Sequence, residues 1–234
     1  MLYKTHFLPA LSTLLLGTLA STMPLAANAA LMTFDNEADF NTAISGLSST
    51  TINFDSAAPG TVIDTGTSFE GVRFDYDILG LPLTVNDRWG TTSSPNYLGV
   101  DNDAFYGGDE FTMSFSSAQS AIGLYIHTST VTVLLDNDFT ITTNTGLSID
   151  FVANLDTPLN DGNAYFMGLY TDTPSDAFTS IVFSSISEYF SFNIDDITYA
   201  SASTSPPTSV SEPSSLALLG IALAGLLRLR KATH

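Results

Sequence analysis

Glu110–His127 reads "EFTMSFSSAQSAIGLYIH", and its two halves alternate with a period of two. Phe111, Met113 and Phe115 are separated by Thr112 and Ser114, and Ile122, Leu124 and Ile126 by Gly123, Tyr125 and His127. An extended chain sends successive side chains to opposite faces, so each half predicts a strand with one face in a core. The same period recurs on both sides: "TINFD" (51–55), "FEGVRF" (69–74), "TVTVLL" (130–135), "FTITT" (139–143), "LSIDFVA" (147–153), "AYFMGLY" (164–170), "TSIVFS" (179–184) and "YFSFNI" (189–194). Turn-forming clusters such as "AAPG", "SSPN" and "LNDGN" punctuate these runs. Many short strands divided by Gly, Pro, Asn and Asp predict an all-β fold, an antiparallel β-sandwich or jelly roll.

One segment breaks the pattern. "FDNEADFNTAI" (34–44) spaces Phe34, Ala38, Phe40, Ala43 and Ile44 near helical periodicity. Asp35 is placed to cap and Glu37 and Asp39 to favour the helix dipole, which predicts one short N-terminal helix ending near Gly46. Residues 30–200 thus make one domain, large enough for a substantial core. Residues 201–210, inside the run "ASASTSPPTSVS", are a Ser/Thr/Pro tether that buries nothing.

The chain has 24 acidic and 6 basic residues, and Lys4, Arg228, Arg230 and Lys231 fall in the end segments with Glu212. The domain therefore holds 23 acids against Arg73 and Arg88, a net charge of 2 − 23 = −21. Such a surface repels phosphate backbones and excludes nucleic-acid binding, while favouring cations or neutral partners. With no cysteine in the chain and no lysine in the domain, thiolate and Schiff-base chemistry are excluded as well.

The two ends are apolar. Residues 1–29 carry Lys4, an apolar stretch and Ala27-Asn28-Ala29, the order of a cleavable secretory signal peptide. Residues 211–234 begin "SEPSS", run apolar over the 12 residues Leu216 to Leu227, and end in Arg228, Arg230 and Lys231. As a helix that run rises about 18 Å against a hydrocarbon core of about 30 Å, a marginal anchor unless its basic end snorkels. Positive charge stays in the cytoplasm, so the domain lies outside.

This order of tether, Glu212-Pro213, short apolar helix and terminal basic cluster resembles the PEP-CTERM sorting signal of exported bacterial proteins. The resemblance implies an exosortase partner that recognises and removes the tail, and a setting of exopolysaccharide production. Glu212 and Pro213 match the last two residues of the signature tripeptide, and Ser211 stands where it has its first proline. Together with Arg228, Arg230 and Lys231 they form the sorting motif, with the membrane as partner before processing. The domain itself is similar to small β-rich ectodomains attached to this signal, through "FDNEADFNTAI", "TINFDSAAPGT", "FEGVRF", "FTMSFSSAQSAIGLYI" and "FNIDDITYA".

Within the domain, "YFSFNIDDITYA" is the most informative site candidate. Phe190, Phe192 and Ile194 share one face, so strict alternation sends Asp196 inward, where an unpaired carboxylate is costly. Either a bulge at Asp195 and Asp196 resets the alternation, or Asp196 is satisfied by backbone donors or a cation. First and last strands of jelly rolls often lie together, which makes Asp55, Asp195 and Asp196 a candidate calcium site. Asp101, Asp103, Asp109 and Glu110 in "DNDAFYGGDE", and "DND" at 136–138, lack the EF-hand pattern and read as turns. His127 ends a strand and reads as a surface histidine. Trp89, the single tryptophan, sits in the polar "NDRWGTTSSPNY"; with Arg88 and Tyr97 it is a candidate ligand-binding platform.

The expectation is an exported, non-enzymatic surface or matrix protein of a Gram-negative cell that binds or organises extracellular polysaccharide, with calcium as its only candidate cofactor. A structural component without glycan selectivity is the alternative, with O-linked sugar on the tether because the chain has no N-x-S/T sequon. A glycan-cleaving enzyme ranks last, since carboxylates are abundant but no catalytic motif stands out.

Overall fold

The computed structural model describes residues 31–101, 103–186 and 189–201. The expected signal peptide, the tether past Ser201, the sorting segment and the apolar helix expected in it lie outside the described residues. Strands β1 (Leu31–Phe34), β2 (Ser48–Ile52), β3 (Val62–Ile63), β4 (Thr67–Phe69) and β5 (Val72–Tyr76) flank a helix α1 (Glu37–Ala43). There follow β6 (Leu83–Asn86), β7 (Tyr97–Val100), β8 (Phe105–Tyr106), β9 (Glu110–Gln119), β10 (Ala121–Ser129) and β11 (Phe139–Thr143). The last are β12 (Ser148–Asp150), β13 (Leu155–Pro158), β14 (Gly162–Thr171), β15 (Phe178–Ser185) and β16 (Ser191–Ser201).

The strands form two antiparallel sheets, as the alternation predicts. The larger runs β1-β14-β10-β16-β7-β6-β3, with β13 on β14 and β2 and β8 on β16; the smaller runs β12-β11-β15-β9-β5-β4. Between them lies the core. Ile122, Leu124, Ile126, Met167, Leu169, Phe192 and Ile194 face Phe111, Met113, Phe139, Ile141, Ile181 and Phe183 across it. At one end the rings close into a cluster, Phe139 lying 4.9 Å from Phe192 and 5.5 Å from Phe183 between centroids. "TVTVLL" is not a strand: Val131, Val133 and Leu135 lie in an exposed loop.

The outer face of the large sheet is covered. Helix α1 is capped by Asn36, whose side chain accepts from the Asp39 amide, rather than by Asp35. It lays Phe40 and Ile44 on Ala121, Tyr125, Ala164, Phe166 and Ala200 in a second apolar cluster. Gly123 and Gly168, opposite each other in the ladder, make the floor for Phe40. A Cβ at Gly168 would lie 2.8 Å from the Phe166 ring and 3.0 Å from Phe40. This face therefore holds buried polar groups, and His127 is one of them.

Strand β16 settles the choice posed by its sequence. Gly123 pairs Thr198 and Tyr125 pairs Asp195, so one residue of β10 spans two of β16: a bulge, with Asp196 at φ +48°. Phe192 and Ile194 face the core before it, and Ile197 after it. The fully buried carboxylate is Asp195, turned to the outer face, while Asp196 is half-buried.

Candidate functional site

The segment 87–96 between β6 and β7 lies as a strap over that outer face. Its hydroxyls and amides fasten it to acidic residues beneath. The Thr91 hydroxyl, the Ser93 hydroxyl (2.9 Å) and the Ser93 amide (3.3 Å) all donate to Asp195 Oδ2. Asn96 donates its amide to Asp55 Oδ1 at 2.9 Å, and Thr92 Oγ1 meets His127 Nε2 at 3.1 Å. At the near end, the Gly90 amide points between both oxygens of Asp161, at 3.1 and 2.9 Å.

Asp55 and Asp195 both accept from the strap, and Asp196 lies within electrostatic reach of each. Burial pushes the Asp195 carboxyl up to about 8, and the Asp196 charge adds to the rise against the opposing Thr91 and Ser93 hydrogen bonds. Asp196 is raised by burial too, with Asp55 contributing. Among the described residues no group of three or more His, Cys, Asp or Glu side chains converges closely enough to hold a metal ion. The strap donors occupy Asp195 Oδ2, while Oδ1, also buried, has no partner.

Past the strap is a hollow of about 220 Å3 at the end of the large sheet, where β10 and β16 part and β16 turns to pair with β8. Trp89, Asp103 and Asp161 rim it, and His127, Thr128 and Asn193 lie at its floor. Trp89 is 43% exposed. Its Nε1 points to Asp103 Oδ1 at 3.5 Å, and the Arg88 guanidinium stands 5.0 Å from the ring centroid and 3.6 Å from Asp103 Oδ2. Three floor atoms, His127 Nδ1, Thr128 Oγ1 and Asn193 Oδ1, are buried without hydrogen-bond partners. Such orphans are few in native proteins, and three of the six found among the described residues belong to side chains that line this hollow.

Two sequence expectations need correction. His127 is not a surface residue: it is 2% exposed, and burial lowers its pKa to about 3, so its imidazole is neutral at any ordinary pH. Strand β10 is interior to the sheet and its outer face is roofed, which a period of two does not reveal. Tyr97 does lie against the Arg88 and Trp89 backbone, but it is fully buried rather than exposed beside the indole, and burial pushes its phenol far up. No ligand reaches its ring in this conformation. The Arg88 guanidinium does lie over the Trp89 ring. Asp161, Thr128 and Asn193 were not singled out in the sequence; nothing local marks them, since the ladder pairings of His127 with Asn193 and of Ser129 with Gly162 are what join them. Glu212, Pro213, Arg228, Arg230 and Lys231 lie outside the described residues. The acidic turns are turns: Asp109 accepts from the Tyr106 amide at 2.8 Å and Asp138 from the Leu135 amide at 2.7 Å.

Residues 209–231 match the PEP-CTERM protein-sorting motif. The chain carries a PEP-CTERM tail. That tail marks it as an exported protein, processed by an exosortase at the cell envelope. No curated protein matches the sequence. Among solved structures, this PEP-CTERM protein is similar to the C-terminal family 22 carbohydrate binding module of Clostridium thermocellum Xyn10B. The two are 14% identical with a TM-score of 0.37, over 66% of this chain and 93% of that one. A CBM 22 xylan-binding domain is 15% identical with a TM-score of 0.32, over 63% and 98%. A rhamnosidase from Klebsiella oxytoca is 9% identical, also at 0.32, over 73% and 33%. Likenesses this distant carry no argument about this chain's ligand.

Proposed function

We propose that this PEP-CTERM protein is a non-catalytic binder of extracellular polysaccharide, displayed on the outer surface or in the matrix of a Gram-negative cell, with the Trp89 hollow as its sugar site. One observation carries the reading: an exposed indole, with the Arg88 guanidinium on its ring, rims a hollow lined by His127, Thr128 and Asn193, whose unpartnered polar atoms lie just beneath its surface. Sugars present apolar C–H faces to aromatic rings and hydroxyls to polar groups, and so suit both parts. The exported setting brings the site to where polysaccharide is found.

The test is co-sedimentation of the mature exported chain with the producing bacterium's own exopolysaccharide, in calcium and in chelator. Saturable pelleting is expected, and Trp89→Ala should abolish it with unchanged thermal stability. Loss of pelleting in chelator would show that binding needs a divalent cation. Absence of pelleting in both conditions would refute glycan binding. That outcome would favour a structural, self-associating role, for which Val131, Val133, Leu135 and Val152 supply exposed apolar area on two adjoining loops.

A further inference from the structure

We infer that the sugar site continues past Trp89 into a second hollow, so that the protein takes a linear, uncharged chain of more than one sugar unit laid across a low rib. This rests on the glycan-binding reading above and deepens it. The second hollow, about 530 Å3, shares Trp89, Gly90 and Asp161 with the first. Those three residues are the rib between the two.

The rib is low because residue 90 has no side chain. A Cβ there would lie 2.2 Å from Asp161 Oδ1, so glycine is what lets the Asp161 carboxylate close on the amide. Trp89 stands on this rib and borders both hollows. A compact ligand needs one cavity, whereas two cavities in series over a shared aromatic suit units joined in a line. The lining fits sugar on the far side too. Thr91, Ser94 and Asn160 supply hydroxyl and amide groups, and Pro95 and Pro158 supply rigid apolar surface.

Charge narrows the class. Asp87, Asp103 and Asp161 line the two hollows against Arg88 alone, and Arg88 is already engaged with Asp103 and the Trp89 ring. With a domain charge of −21, a uronate or sulfated chain meets repulsion at every approach. An uncharged chain meets none.

The chain's single tryptophan is the reporter, so intrinsic fluorescence reads the site directly. The probe is a size-fractionated ladder of neutral oligosaccharides from acid hydrolysis of the host exopolysaccharide, with an oligogalacturonate ladder as the charged control. Affinity should rise about tenfold or more from monosaccharide to the longer neutral fractions, then level off. Asn160→Ala with Ser94→Ala should remove that gain. Asn193→Ala should weaken every length. Neutral fractions that bind equally at all lengths, or tighter binding of the oligogalacturonates, would overturn the two-hollow assignment alone. If no fraction of either ladder perturbs Trp89, the glycan-binding reading itself falls.

Discussion

Asp195→Asn should change how stability depends on alkaline pH. The Asp195 carboxyl is raised to about 8 in the fold, against 3.8 in the unfolded chain. A folded pKa above the unfolded one contributes stability that is complete at low pH and lost as pH rises through the folded value. From pH 7 to 9 such a group loses about 1.4 kcal/mol, since its native protonation falls from nearly complete to about a tenth. At about 2–4 °C per kcal/mol for a domain of this size, the midpoint should drop by roughly 3–6 °C. His127 does not mask this. Its folded value of about 3 makes its contribution complete above its unfolded 6.5 and lost only as pH falls. The assay is thermal unfolding followed by circular dichroism at half-unit steps, in chelator. Asparagine keeps the acceptor for Thr91 and Ser93 and has nothing to titrate, so its profile should be flat from pH 7 to 9. A flat profile in the parent protein would refute a protonated Asp195. A slope present in chelator and removed by calcium would instead support a cation beside it, since a cation holds the carboxylate ionised.

Other outcomes follow from packing and from the tail. Phe139→Ala removes the ring that touches Phe151, Phe183, Phe190 and Phe192 and should cost about 3–5 kcal/mol, read by urea unfolding. Gly168→Ala forces a methyl against Phe40 and Phe166 and should cost about 1–3 kcal/mol, with α1 the first element to lose amide protection in hydrogen exchange. Acid should destabilise through His127 as pH falls from 6.5 towards 3, and His127→Gln should flatten that limb in the same unfolding series. Glu212→Ala with Pro213→Ala should leave the tail attached, seen as a higher intact mass and retention in the membrane fraction.

The inward faces were legible because they follow from one rule. Phe111, Met113 and Phe115, and Ile122, Leu124 and Ile126, are buried in the core as their alternation required. The outer face was not, because its burial depends on what comes to lie over it. Tyr125 and His127 occupy the positions that alternation reserves for solvent, yet α1 and the strap cover them. The same gap explains the site. Trp89 and Arg88 stood out as a lone indole and a rare cation in a polar segment. Asn193 and Thr128 are ordinary strand residues until the pairing of β10 with β16 sets them on one floor. "TVTVLL" shows the limit of the rule: its period is right, but among the described residues it pairs with no strand.

The bulge at Asp195 and Asp196 ties these observations together. Had β16 kept strict alternation, Asp196 would point into the core and Ile197 out of it; the added residue returns Ile197 to the core. The cost is a carboxylate sealed under the outer face, which stays tolerable only while Thr91 and Ser93 donate to it or a proton neutralises it. Those donors belong to the strap that also carries Trp89 and Gly90. One register change in the last strand therefore completes the core on one face and fixes the rim of the proposed sugar site on the other. It follows that a variant loosening the strap at Thr91 or Ser93 should weaken glycan binding without touching any group the sugar meets in the first hollow.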